Sequence, residues 1–313
     1  MSVPEQALHG LLSASARRCR KPDGGYAWLM TQSGERSTIP IPTLHLFPGE
    51  REALLDLLKD LTPAEWGRPT VCPGWSVQDI AAHLLADDIG RLSRGRDGHS
   101  NPDFATGFDI STLPGLVAAI DRQNALWVEA MRRVSPPVLI DLLRLTGKQT
   151  ASYFATLDLD AIGGPVDWAG PEPAPVWLDL AREYTERWVH QQQIRDAVGR
   201  PGLQEPEWFA PVLAAFVLGL PRALGKAGHP GETVLLTIAG EAGGQWLARR
   251  NEQGWTLEPG RDNAPAAAVT LNQDSAWRLF TRGLTPEAAR RAATLSGDPE
   301  LTSRALETVS ILA

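Results

Sequence analysis

Two cysteines in 313 residues, Cys19 and Cys72, cannot build a disulfide framework, and neither stands in a Cys-x-x-Cys knuckle. That scarcity fits a reduced, cytoplasmic compartment and excludes the stapled secreted class. The N-terminus lacks the apolar run of a signal peptide, and no stretch of about 20 consecutive apolar residues is present to span a bilayer, so no membrane partner is expected. Positive charge is not in excess either, the formal net charge being -7. Nucleic-acid binding needs a concentrated Lys/Arg surface, so no nucleic-acid partner is expected. The one short basic run, Arg17, Arg18, Arg20 and Lys21, reads as a solvated tail.

What is plentiful is core-forming material, with 43% apolar residues and 11 Trp. The length exceeds what one hydrophobic core usually organises, so two domains are expected. Residues 1–42, with Gly24-Gly25 and weak periodicity, read as a poorly ordered extension or a start codon placed too early. After Pro48, Leu54, Leu57, Leu58 and Leu61 fall on one helical face, and Thr62-Pro63 ends that helix. Ser76 and Asp79 form a capping pair that opens a second helix, SVQDIAAHLLADDIGRLSRG. Helical stretches at 113–134 and 137–157 follow, broken by Pro136-Pro137, and a Gly/Pro-rich crossing leads into a long helix at 176–199. These amphipathic helices predict an up-and-down bundle over 43–202, closed by Gly199-Arg200-Pro201-Gly202. Residues 203–313 read as a small α+β domain. It comprises a helix over 207–224 ended or interrupted near Pro221, antiparallel strands near 233–238, 245–249, 255–257 and 267–271, and closing helices at 274–281 and 301–312.

Chemistry concentrates on the 176–199 helix. Glu186 and His190 stand four apart, so a carboxylate and an imidazole leave the same face one turn apart and can reach one ion together. His83 on the second helix could supply a third ligand, because a bundle sets such helices side by side. Two imidazoles and one carboxylate leave positions open for water or substrate, as catalytic zinc sites do. Glu183 is a possible substitute for Glu186, but it lies seven residues from His190. Asp79 and Asp87 flank His83 by one turn each, where either could accept the proton on its second ring nitrogen. The competing interpretation is a solvated Glu186–His190 pair with His83 on a helix seam and no metal at all. Cys72, eleven residues before His83, could be a nucleophile or a fourth ligand but reads better as a packed structural thiol, with Trp66 and Trp75 as core anchors.

The segments WGRPTVCPGWSVQDIAAHLLA and REYTERWVHQQQIRDAVGRP resemble the mycothiol-dependent maleylpyruvate isomerase family, whose N-terminal domain is a DinB-like four-helix bundle. TIAGEAGGQWLARR, AVTLNQDSAWRLFTRGL and LSGDPEL are similar to the sterol-carrier-like domain that accompanies it. The resemblance implies a divalent metal, usually zinc, held by His83, Glu186 and His190. It also implies mycothiol as the thiol cofactor, an electrophilic small-molecule substrate, and an isomerase or thiol S-transferase reaction. An arginine of the family's Gly-Arg segment would assist; its position here is Arg282, where the order is Arg282-Gly283 and Arg290 and Arg291 follow. A carrier of a small molecule or lipid, with the metal purely structural, is the alternative from another class.

Overall fold

The structure, a computed structural model, describes residues 40–258 and 261–310. The extension expected over 1–42 thus lies outside the described residues except for its last three, of which Ile41 is already buried in the core.

Helix α1 (Phe47–Lys59) starts ahead of its apolar repeat because Pro48 sits in its first turn, where a missing N–H leaves no bond unmade. Its Leu54, Leu57 and Leu58, with Leu61 just beyond, are buried as their spacing requires. Thr62-Pro63 ends α1 but also begins the short α2 (Pro63–Trp66), capped by Thr62 and Glu65. Helix α3 (Val77–Gly90) opens on the Ser76/Asp79 capping box and runs on as a π-helical segment, Arg91–Arg96. Helices α4 (Leu113–Met131) and α5 (Pro136–Phe154) follow, and α6 (Val176–Val198) ends where Gly199 turns left-handed at φ 70. Four of these helices, α1, α3, α5 and α6, enclose a core that includes Leu54, Leu58, Ile80, Leu84, Leu143 and Ile194. Helix α4 leans on α3 from outside, and its Trp127 Nε1 donates to Ala82 O at 2.8 Å.

The C-terminal region pairs helices with one sheet. The interruption expected near Pro221 falls two residues earlier, at Gly219, and parts α7 (Pro206–Val217) from α8 (Leu220–Leu224). Together Pro206–Leu224 are long and apolar enough to cross a bilayer by length and composition, and their apolar side chains are packed into the core. Strands β1 (Thr233–Ala239), β2 (Gly244–Arg250), β3 (Trp255–Glu258), β4 (Ala267–Asn272) and β5 (Thr294–Gly297) lie in the order β3-β2-β1-β4-β5. The expectation of purely antiparallel strands needs correction. After two hairpins the chain returns to the free edge of β1, and β4 pairs with it in parallel, Leu236 opposite Val269. Helices α9 (Gln273–Phe280), α10 (Pro286–Ala292) and α11 (Pro299–Ala305) complete the region. The closing helix expected to reach 312 stops at Ala305, because Ser310 N donates to Phe280 O and Ser310 Oγ to Phe216 O, holding the tail against α7 and α9. One hydrophobic cluster runs through both regions. Trp188 of α6 stacks on Phe209 of α7 at 4.5 Å and meets Trp277 of α9 edge-on at 5.6 Å.

Candidate metal centre

Helices α3 and α6 lie side by side, and this sets His83 against the Glu186–His190 pair. One ligand atom from each residue falls within 4.8 Å of the others. Glu186 Oε1 is 3.0 Å from His190 Nε2 and 3.5 Å from His83 Nε2. The imidazoles meet edge to face with centroids 4.7 Å apart. His83 is buried, while Glu186 and His190 retain partial access to solvent, so one side of the cluster borders solvent.

Neighbouring side chains orient the cluster unequally. Gln193, one turn beyond His190, places Oε1 2.7 Å from Nδ1 of that ring, which assigns the proton to Nδ1 and leaves Nε2 facing Glu186. The Cys72 thiol donates to the same Oε1 at 3.2 Å. It is half-buried against the bundle core, so the expected packing role holds and a second contact is added. His83 Nδ1, in contrast, has no partner among the described residues, and the expectation that Asp79 or Asp87 would serve it is overturned. Asp79 is taken by Ser76 and by Arg132 at 2.9 Å. Asp87 Oδ2 approaches the other nitrogen, 3.8 Å from His83 Nε2, and has no donor. Trp66 is a core anchor as expected, but Trp75 is only partly buried and stands 5.1 Å from the His83 ring as a wall of the cluster.

Burial works against a charge on Glu186, yet hydrogen bonds and charge from His190 and His83 outweigh it and hold this carboxyl well below the ordinary range. Burial likewise opposes a charge on His190, and its contacts with Cys72 and Glu186 more than reverse that, raising it well above the ordinary imidazole value. Asp87 is raised mainly by burial, with the Glu186 charge adding to it against His83.

Glu183, the possible substitute for Glu186, is engaged elsewhere, with Arg91, Arg182 and Arg187 all donating to its carboxylate. Arg282 is exposed, sits in the left-handed region at φ 60, and takes part in none of the contacts within the cluster. Gln193 is a site residue to which the sequence assigned no task. Its spacing of three from His190 was the available signal.

Residues 47–195 match the family described as Mycothiol maleylpyruvate isomerase N-terminal domain. Curated proteins from two strains of Mycobacterium tuberculosis, both described as uncharacterized, are 27% identical over 196 residues, covering 61% of this chain and 71% of each relative. Two crystal structures of mycothiol-dependent maleylpyruvate isomerase, one of them a mutant, align at 13% identity and TM-score 0.49 over 82% of this chain and 93% of theirs. A crystal structure of sterol carrier protein 2 like 2 from Aedes aegypti aligns with 30% of this chain and 93% of its own, at 19% identity and TM-score 0.24. The segment that matches the mycothiol maleylpyruvate isomerase N-terminal domain family, 47–195, is the helix bundle and contains His83, Glu186 and His190.

Proposed function

We propose that the protein is a metal-dependent enzyme that uses a low-molecular-weight thiol, mycothiol, to act on a small electrophile, either as an isomerase of the maleylpyruvate type or as a thiol S-transferase. The observation that carries this reading is the convergence of Nε2, Oε1 and Nε2 from His83, Glu186 and His190. The donor set fits a divalent cation such as zinc. Zinc–nitrogen and zinc–oxygen bonds of about 2.0–2.2 Å in a tetrahedron put ligand atoms roughly 3.3 Å apart, and the two contacts of Glu186 are 3.0 and 3.5 Å. When bound, such a cation supplies an acceptor for the thiol sulfur and favours the thiolate near neutral pH.

The chain's own residues do the rest. Gln193 holds the His190 tautomer, and Trp75 walls one side of the cluster. Residues 43–202 form the ligand-bearing domain, and 203–313 form the domain that closes over the substrate. Arg282 is the arginine offered to a substrate carboxylate. The thiol adds to a carbon–carbon double bond conjugated to a carbonyl, and the resulting single bond rotates. Expulsion of the thiol completes an isomerisation, whereas retention of the new carbon–sulfur bond completes an S-transfer. The match of the bundle to that family supports the thiol and favours isomerisation.

Elemental analysis of protein purified without chelator tests the site: about one divalent ion per chain is expected, and Glu186→Ala should lose it. Metal-free wild-type protein, or a variant that keeps its ion, ends the reading. Supplying mycothiol and maleylpyruvate to loaded protein then separates release of fumarylpyruvate from accumulation of a conjugate, and Arg282→Ala should raise KM in that assay.

A further inference from the structure

One residue further along the chain from Asp87 and Glu186, the same two helices are joined by a second set of polar side chains, all of them buried. Asp88 follows Asp87 on α3 and is fully buried. Its Oδ2 accepts from Arg51 Nη1 at 2.6 Å and from Thr146 Oγ1 at 2.8 Å, and its Oδ1 accepts from Arg51 Nη2 at 3.1 Å and from Arg187 Nη2 at 3.0 Å. Arg187 follows Glu186 on α6 and is also buried. Its Nη1 donates to the Glu183 carboxylate at 2.7 Å, and its guanidinium lies 5.6 and 5.9 Å from the Phe47 and Phe154 ring centroids. Arg51 Nη1 also donates to Leu143 O at 2.8 Å. One carboxylate on α3 thereby gathers α1, α5 and α6.

Stability alone gives a poor account of this arrangement. Taking each charge out of water costs several kcal/mol, and apolar side chains of similar volume in such a place are often neutral or better. The directional contacts give something an apolar seam lacks. Arg51 forks onto Asp88 through both Nη1 and Nη2, and Arg187 spans from Asp88 to the Glu183 carboxylate with one nitrogen on each, so a shift of α6 along α3 breaks a directional, charge-assisted bond on Asp88. Sliding α6 by one residue moves its side chains by about 1.5 Å along the axis, enough to take Glu186 Oε1 away from its 3.5 Å approach to His83 Nε2.

We infer that the buried Asp88–Arg187 pair, braced by Arg51 and Thr146, sets the register of α3 against α6 and through it the spacing of His83 from Glu186 and His190. The inference rests on reading those three residues as metal ligands. Asp88 and Arg187 are positioning residues: each is the chain neighbour of a residue at the cluster, and neither touches the cation position.

The test is titration of the full chain with Co(II), read by affinity and by the visible d–d bands, which report coordination geometry. It compares wild type with Arg187→Lys, Asp88→Asn and the apolar triple variant Arg51→Met/Asp88→Leu/Arg187→Met. The triple variant should keep its helical circular dichroism and a cooperative melt, while Co(II) affinity falls about 10- to 100-fold and the bands change. Arg187→Lys retains the charge without the planar span from Asp88 to Glu183 and should show a smaller loss of the same kind. A folded variant whose Co(II) affinity stays within threefold of wild type with unchanged bands overturns the inference. If the triple variant does not fold, the single variants decide by the same criterion. If wild type takes up no Co(II), the ligand reading fails by itself, and the register is then judged from crystal structures of wild type and variant. An unchanged His83–Glu186 spacing refutes the positioning role, and a displaced one supports it.

Discussion

Gln193 Oε1 lies 2.7 Å from His190 Nδ1, whereas Nδ1 of His83 has no partner among the described residues. The tautomer of His190 is therefore held by a partner side chain, and that of His83 is not. Gln193→Leu removes the acceptor without changing volume much. Metal affinity in a titration should fall about 10- to 100-fold, while the melting temperature of the metal-free protein moves little because Gln193 is only partly buried. Cys72→Ser keeps a donor toward Gln193 and should leave affinity close to wild type. A second residue-level expectation concerns Glu50, fully buried in the bundle and bonded to Gln191 at 2.7 Å. Burial raises its pKa, against the opposing charges of Arg51 and Arg187. A carboxyl raised on folding binds its proton more tightly in the folded chain, so its contribution to stability is greatest at acid pH and declines as pH climbs from the ordinary glutamate range through the raised value. Glu50→Gln removes that decline. Urea unfolding should find the variant more stable than wild type at pH 8 and the difference gone near pH 4.

Single elements were legible wherever a local rule decides them. Ser76 and Asp79 announced the start of α3, Gly199 the end of α6, and the leucine spacing the buried face of α1, because caps and faces depend on residues at most one turn away. The same locality made Glu186 and His190 readable as one face, and the bundle expectation set His83 beside them before the resemblance repeated the choice. What escaped depends on distant chain. The parallel pairing of β4 with β1 is settled by the path between them, and no alternation pattern encodes a strand's partner. Strand β5, four mostly exposed residues, carries too little apolar signal to be seen. Cys72 meets Gln193 only because loop 67–76 folds back against α6. The cap on α3 can be tested directly: Ser76 Oγ accepts from Asp79 N at 3.3 Å, and Asp79 Oδ2 accepts from Ser76 N at 2.9 Å. Ser76→Ala should cost about 1 kcal/mol in chemical denaturation, and a variant as stable as wild type would mean that the first turn of α3 is held by its packing instead.

Across the whole molecule, the seam between the bundle and the C-terminal region combines two kinds of contact of unequal strength. Trp188 of α6, whose Nε1 donates to Leu203 O at 2.8 Å, presents its ring to Phe209 and Trp277, all three buried. Beside it Arg278 bonds Asp196 of α6 at 2.7 Å and covers Trp277 at 4.4 Å, with both charged partners partly in solvent. Ion pairs of that exposure contribute little, because water competes for both charges and long side chains lose freedom to form them. The large aromatic surface carries the seam. Trp277→Ala should destabilise the protein by about 3–5 kcal/mol, and Arg278→Ala by under about 1 kcal/mol. Both are measurable as shifts of the urea midpoint at unchanged slope. A core shared between the regions further requires that Trp277→Ala, a change on α9, lower the protection of α6 amides in hydrogen exchange. If α6 kept wild-type protection while α9 opened, the two regions would be folding as separate units.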